Sequence, residues 1–450
     1  MRKLSDQLAA QQAELERQKA TIQRLEAVMT APKPEKPVVQ ADTGFVDPVT
    51  GAPADGKETA EDPRKKLLLY GYVQGQFQTD NASQNAISQD GKVLNQNKFS
   101  LPRARLIAER EWKLASLLLE LDGNTLNGPN FAVQRAEATM LYRGKNPGDR
   151  PPLLSVTLGQ FRVPFGSENL ESSGVRYLME RSLAARAYFP SEIDLGLRIA
   201  GAVDWFRYSV VAMNGNPIGS TFQLNDPDSA KDIVGRLGVE TKPVPWVDFS
   251  AGVSALVGRG FHQESAGTKP SLQWSDRNGD GILQSGEVIA VDAVAAKPSV
   301  TFKRFGFAFD ADATVRSRLG ETQLRAALYL GSNLDRGLYV SDPVLLGRDA
   351  RSLGYMLSVL QEVGDWVVVG GRTDYYNPDS DSSDTQNAVP VQPNDRSIRT
   401  WSPIIGLRYR RRARLLFQYD LVRDKLGRDE RGLPTDLSND RMTVRLQVNL

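Results

Sequence analysis

The segment Arg441 to Leu450 reads RMTVRLQVNL: Met442, Val444, Leu446, Val448 and Leu450 alternate without a fault with Arg441, Thr443, Arg445, Gln447 and Asn449. Successive side chains of a strand point to opposite faces, so this segment has one apolar face and one polar face. A single segment of this kind fits a soluble antiparallel sheet with one covered face. It fits equally a membrane strand with lipid on one side and water on the other.

Repetition separates the two. About sixteen such segments, an even number, run from Lys65 to the end, among them 67–78, 98–110, 193–203, 299–311 and 440–450. Their connections alternate in length. Glu111, Asp204, Gly364 and Arg411 serve as tight turns and 312–320 as an intermediate one, whereas 166–192, 258–298, 333–351 and 377–397 are long. A soluble sandwich has no reason to sort its loops by parity, and an outer-membrane barrel does. The expectation is an all-β chain, a 16-stranded antiparallel transmembrane β-barrel over 65–450, preceded by a short N-terminal coiled-coil helix.

Composition is consistent with this and excludes other classes. No window holds the roughly 18 uninterrupted apolar residues of a membrane helix. The mean hydropathy of -0.38 carries no opposite message, because barrel strands need only alternate apolar residues. With no cysteine and one histidine, His262, thiol chemistry and histidine-rich metal or hydrolytic sites lose their residues, and no enzyme is expected. A net charge of +2 argues against a nucleic-acid partner.

Ahead of the barrel, Leu4, Leu8, Gln11, Leu15, Gln18, Ile22, Leu25 and Met29 follow a heptad seam. Residues 1–29 are therefore read as a coiled coil, which implies an oligomer. The Pro-rich stretch 30–64 cannot bury a core and is read as a flexible linker. A start followed at once by charged residues has no signal-peptide core. It is taken as a mature sequence with a start Met.

Charge on the lipid face of a barrel costs about 2 to 4 kcal/mol at the midplane, so strand charges sort inward. By alternation Arg103, Arg105, Arg198, Arg207, Arg236, Arg325, Arg408, Arg414, Arg441 and Arg445 face the lumen. They stand against Glu109, Glu120, Asp122, Glu240 and Asp420, a cation excess of about two to one. Such a wall favours anions. The same arginines can also pair with carboxylates across neighbouring strands and stiffen the wall.

A family resemblance is carried by Gly159, Arg162, Pro164, Phe165 and Gly166, by Met179, Glu180, Arg181 and Ser182, by Asp194, Leu195 and Gly196, and by Asn214 and Gly215. In this order they resemble the phosphate-selective porin O and P family of Gram-negative outer membranes. The resemblance implies a homotrimer in outer-membrane lipid, with 166–192 folded into the lumen as a constriction and the coiled coil in the periplasm, where it can meet a partner. It also implies an arginine ladder and a lysine cluster. Here 166–192 offers Arg176, Arg181 and Arg186 for an anion path, carries no Lys, and adds Glu168, Glu171, Glu180 and Glu192. The chain ends in Leu450 where barrel signals usually end in Phe or Trp. The expected activity is passive diffusion of small anions, phosphate among them. The alternative is a plugged structural or adhesive outer-membrane protein that links partners through its loops and coil.

The longest loop, 258–298, contains DRNGDGILQSGE. Asp276, Asn278 and Asp280 occupy positions one, three and five of an EF-hand loop, with Gly281 at six, Leu283 at eight and Glu287 at twelve. Ile282 would offer its carbonyl at seven. The flanks read as strand or loop, so the expectation is structural Ca²⁺ bracing an extracellular loop.

Overall fold

A computed structural model describes residues 67–81, 97–126, 128–145, 151–215, 228–275, 278–381, 384–386, 389–391, 395–410, 412–425, 427–428, 434–436 and 439–450. The coiled-coil and linker assignments, 1–29 and 30–64, lie outside the described residues.

Sixteen antiparallel strands close into one barrel. They are β1 Leu68–Asp80, β2 Asn97–Glu111, β3 Ala115–Asn124, β4 Asn130–Tyr142, β5 Leu154–Arg162, β6 Ile193–Val203, β7 Phe206–Met213 and β8 Asp232–Val244. Then follow β9 Val247–His262, β10 Val300–Ser317, β11 Gly320–Ser332, β12 Arg351–Val363, β13 Val367–Asn377, β14 Ile398–Tyr409, β15 Ala413–Asp424 and β16 Arg441–Asn449. Each strand pairs with its sequence neighbour, and β1 pairs with β16, opposing Gln74 to Gln447. Leu450 donates its N–H to Gly71 O at 2.9 Å, which completes the seam.

Period two decides what each strand shows to either side. In β16, Met442, Leu446, Val448 and the following Leu450 are exposed outward, while Thr443, Arg445 and Gln447 are buried inside. Exposed Trp112, Trp205, Trp246 and Trp366 all sit at the short turns and mark one rim. Phe99, Phe131 and Trp401 stand outward near the long-loop ends of their strands. An apolar wall between two aromatic rims matches the hydrocarbon and interfacial layers of a bilayer. The turns bend through left-handed residues: Asp204 at φ 49°, Gly364 at φ 57° and Arg410 at φ 43°.

Two segments run longer than the sequence reading. The expected connection 312–320 is strand up to Ser317, and Asp310 and Asp312 lie mid-strand, because Asp312, Thr314 and Arg316 keep alternating with Ala313 and Val315. β9 likewise continues to His262. In the loop beyond it, Ser271–Trp274 and Val288–Val291 form a separate two-stranded sheet around the calcium-type motif.

Candidate functional site in the barrel lumen

The third long loop, 163–192, lies within the ring of strands and is built of two short helices, α1 Ser167–Leu170 and α2 Leu183–Tyr188. The run Glu180-Arg181-Ser182 explains its fold. Ser182 caps α2 by accepting the Ala185 N–H. The Glu168 carboxylate takes the Ser182 N–H at 2.9 Å, the Ser182 hydroxyl, and the Tyr329 hydroxyl at 3.2 Å. Arg181 bonds Asn169 and donates to the carbonyls of Phe189 (2.8 Å) and Pro190 (3.1 Å), tying the two limbs of the loop together.

One side of the loop is oily. Phe165, Tyr188 and Phe189 pack into a buried cluster with the inward-facing Met213, Val234, Leu256, Ala308, Tyr329 and Met356. A second, smaller cluster joins Leu178 and Met179 to Leu360, Val368, Ile404 and Leu416 of the facing wall. Apolar packing therefore closes those sectors of the lumen to water.

The wall carries a lattice of ion pairs. Glu120, fully buried, receives Arg105 at 2.8 Å and Arg135 at 2.5 Å. Arg198 pairs with Glu137 (2.6 Å), Arg207 with Glu240 (2.8 Å), and Arg236 with Asp310 through two bonds of 2.7 Å. Arg325 bridges Glu171 (2.6 Å) and Asp312 (3.4 Å), Arg408 meets Glu362 (2.7 Å), and Arg441 meets Asp80 (2.7 Å). Of the arginines singled out from the sequence, all but Arg186 and Arg414 have a carboxylate within ion-pair distance among the described residues. Arg414 donates to the loop carbonyls of Gly174 (2.8 Å) and Val175 (2.9 Å).

This changes two expectations. The two-to-one cation excess is offset, because Asp80, Glu137, Asp310, Asp312 and Glu362 also face inward and pair with those arginines, while Asp232, Asp248 and Asp374 each come with a further arginine, Arg304, Arg316 and Arg372. Arg105, Arg176, Arg181, Arg198, Arg207 and Arg236 are buried in such pairs and loop bonds, so they form the frame of the lumen rather than an exposed anion path.

Solvent reaches a different group. The Glu180 side chain is 33% exposed and clamps Arg103 through bonds of 3.1 and 2.7 Å and Arg445 at 3.0 Å. Arg372 donates to the Glu180 carbonyl at 2.7 Å. The side chain of Arg186, half-buried at the end of α2, makes no hydrogen bond or ion pair among the described residues. The charges it faces are Glu180, Asp374, Arg372 and Arg441.

Alternation missed Arg135 for an identifiable reason. Phe131 and Val133 are apolar at odd positions, and Arg135 and Glu137 are polar at odd positions, so the parity of the strand flips between them. The structure has a bulge there: Glu120 opposes Arg135 and Leu121 opposes Val133, leaving Gln134 extra.

Of the calcium-type residues, Asp276 lies outside the described ones. Gly281 adopts φ 69°, the left-handed turn that position six needs, and Asp280 accepts the N–H of Ile282 (2.7 Å) and the amide of Asn278 (2.9 Å). Glu287 is buried and accepts from the Trp274 indole at 3.2 Å. No three acidic or histidine side chains converge as a metal cage among the described residues.

Residues 72–236 match the family model for phosphate-selective porin O and P. No curated protein sequence matches the chain. Among solved structures, the outer membrane channel DcaP of Acinetobacter baumannii superposes with a TM-score of 0.54 at 10% identity, over 86% of this chain and 97% of that one. Pseudomonas putida OprB, in its high-pH structure, gives 0.50 at 12% identity over 86% and 94%.

Proposed function

We propose that this chain, an outer-membrane porin by family and fold, passes small solutes by passive diffusion and prefers anions, with the third loop as the constriction. The observation that carries the preference is Arg186. A guanidinium on the loop with no carboxylate at ion-pair distance among the described residues, facing Glu180, Asp374, Arg372 and Arg441, leaves a fixed positive charge without a direct partner. A fixed cation beside a water-filled path lowers the energy of a passing anion and raises that of a cation. Single-channel recording in a salt gradient tests this. The unmodified protein should give an anion-selective reversal potential, and Arg186→Ala should move it toward cations. A cation-selective reversal potential in the unmodified protein would overturn the reading. Phosphate is one candidate solute, and selectivity among chloride, phosphate and larger organic anions ranks the possibilities.

The apolar packing around the third loop favours a second reading, a plugged barrel serving as a structural or adhesive link. A barrel that never conducts would favour it over the first.

The heptad seam of residues 1–29 supports a trimer with a three-stranded periplasmic coil. A monomer by sedimentation in detergent would count against it. The left-handed Gly281 within the twelve-residue pattern supports Ca²⁺ held by Asp276, Asn278, Asp280, the Ile282 carbonyl and Glu287.

A further inference from the structure

The connection between β11 and β12, residues 333–350, reaches into the lumen and grips the far end of the third loop. Its Asp335 folds the grip. One carboxylate accepts the N–H groups of Gly337 (3.1 Å), Leu338 (2.9 Å) and Tyr339 (3.1 Å), and the Tyr376 hydroxyl of β13 at 2.7 Å. That turn presents two adjacent N–H groups, of Arg336 (2.8 Å) and Gly337 (2.9 Å), to a single acceptor, Ala187 O. Arg336 adds a third bond, from Nε to Tyr188 O at 2.8 Å, and lays its guanidinium over the Phe189 ring at 4.6 Å. Ala187, Tyr188 and Phe189 end α2, where helix carbonyls lack partners of their own. Leu334, fully buried, joins the same apolar cluster as Tyr188 and Phe189.

The grip is firm in direction and modest in strength. Nη1 and Nη2 of Arg336 are buried without a hydrogen-bond partner, and its carboxylate neighbour, Asp232, stands 4.0 Å away. Burying a guanidinium with most of its donors unused is costly. The cost opposes the docked state and brings release within reach.

We propose that loop 333–350 is a clasp on the third loop and that Arg336 is the positioning residue that sets how tightly α2 stays docked, so that its release gives a wider conducting state. The wider state rests on the diffusion reading; the clasp itself does not. The chain has no cysteine, so Ala187→Cys supplies a single thiol directly under the clasp. Ala187 is fully buried, and the thiol should react slowly with a water-soluble maleimide.

Adding Arg336→Ala should raise the labelling rate severalfold, the lost bond to Tyr188 O and the lost contact with Phe189 outweighing the relief of its unused donors. It should also add a higher conductance level to single-channel records. Arg336→Lys should restore part of the protection. Arg348→Ala, on the exposed face of the same loop where Arg348 pairs with Asp379, should change neither readout. Tyr376→Phe removes the Asp335 anchor with a smaller perturbation and serves if Arg336→Ala does not fold. Unchanged labelling in folded Arg336→Ala and Tyr376→Phe would overturn the clasp. Faster labelling in a barrel that never conducts would support the clasp and overturn only the diffusion reading.

Discussion

Glu180→Gln keeps the shape of the side chain and removes one negative charge from the solvent-reached group in the lumen. Burial alone would raise the Glu180 carboxyl pKa, but the guanidiniums of Arg103 and Arg445 outweigh it and hold the group well below the usual carboxylate range. The charge is therefore present at neutral pH. An ion passing about 6 Å away feels about 0.7 kcal/mol from it at the dielectric constant of water. Screening over a Debye length of about 10 Å at 0.1 M salt reduces this to about 0.4 kcal/mol. The effect has opposite signs for cation and anion, so the selectivity ratio changes by about 0.8 kcal/mol, or about fourfold. Low-dielectric walls make this a lower bound. The anion-to-cation permeability ratio read from reversal potentials across a planar bilayer should thus rise about fourfold. At about 1 M salt, where the Debye length is about 3 Å, most of the shift should vanish. A shift toward cations, or one independent of salt, would refute the placement of Glu180 beside the ion path.

Two further outcomes follow from local geometry. Chelating Ca²⁺ should speed protease cleavage within 258–298, read by gel, and unchanged cleavage would sink the calcium-braced loop. Gly159→Ala should lower barrel stability by more than about 2 kcal/mol, read as loss of the heat-resistant gel form. Gly159 sits at φ 137°, and an added Cβ would stand 2.0 Å from Ala136 O, so full stability in the variant would contradict that packing.

The strands were legible because lipid forbids charge on one face, which imprints a period of two on the chain. Their ends were less so: Asp310 and Asp312 read as a strand terminus, whereas inside a polar lumen aspartate alternates as well as any inward residue. Partners were not legible at all. Period two tells which side Arg105 faces, while register alone brings it to Glu120 and Asp122. The oily side of the third loop did leave a trace. Ala255, Leu256 and Val257 are apolar in succession, which a strand between lipid and water has no use for. Leu256 points inward onto the cluster containing Phe165. The clasp left none, since Leu334 to Tyr339 reads as an ordinary loop and its target lies about 150 residues upstream.

The seam between β1 and β16 has the third loop laid across it. Gln74 and Gln447 bond each other at 2.8 Å, and each also donates to the loop, Gln74 to Ser173 O at 3.0 Å and Gln447 to Gly174 O at 2.8 Å. A slip of one residue between the two strands would turn one glutamine out into lipid and break its bonds to the other glutamine and to the loop. The loop is thus a gauge of closure: it fits only a cylinder whose first and last staves have met in the right notch. Errors in the final step of assembly would then be felt in the lumen before they show on the wall.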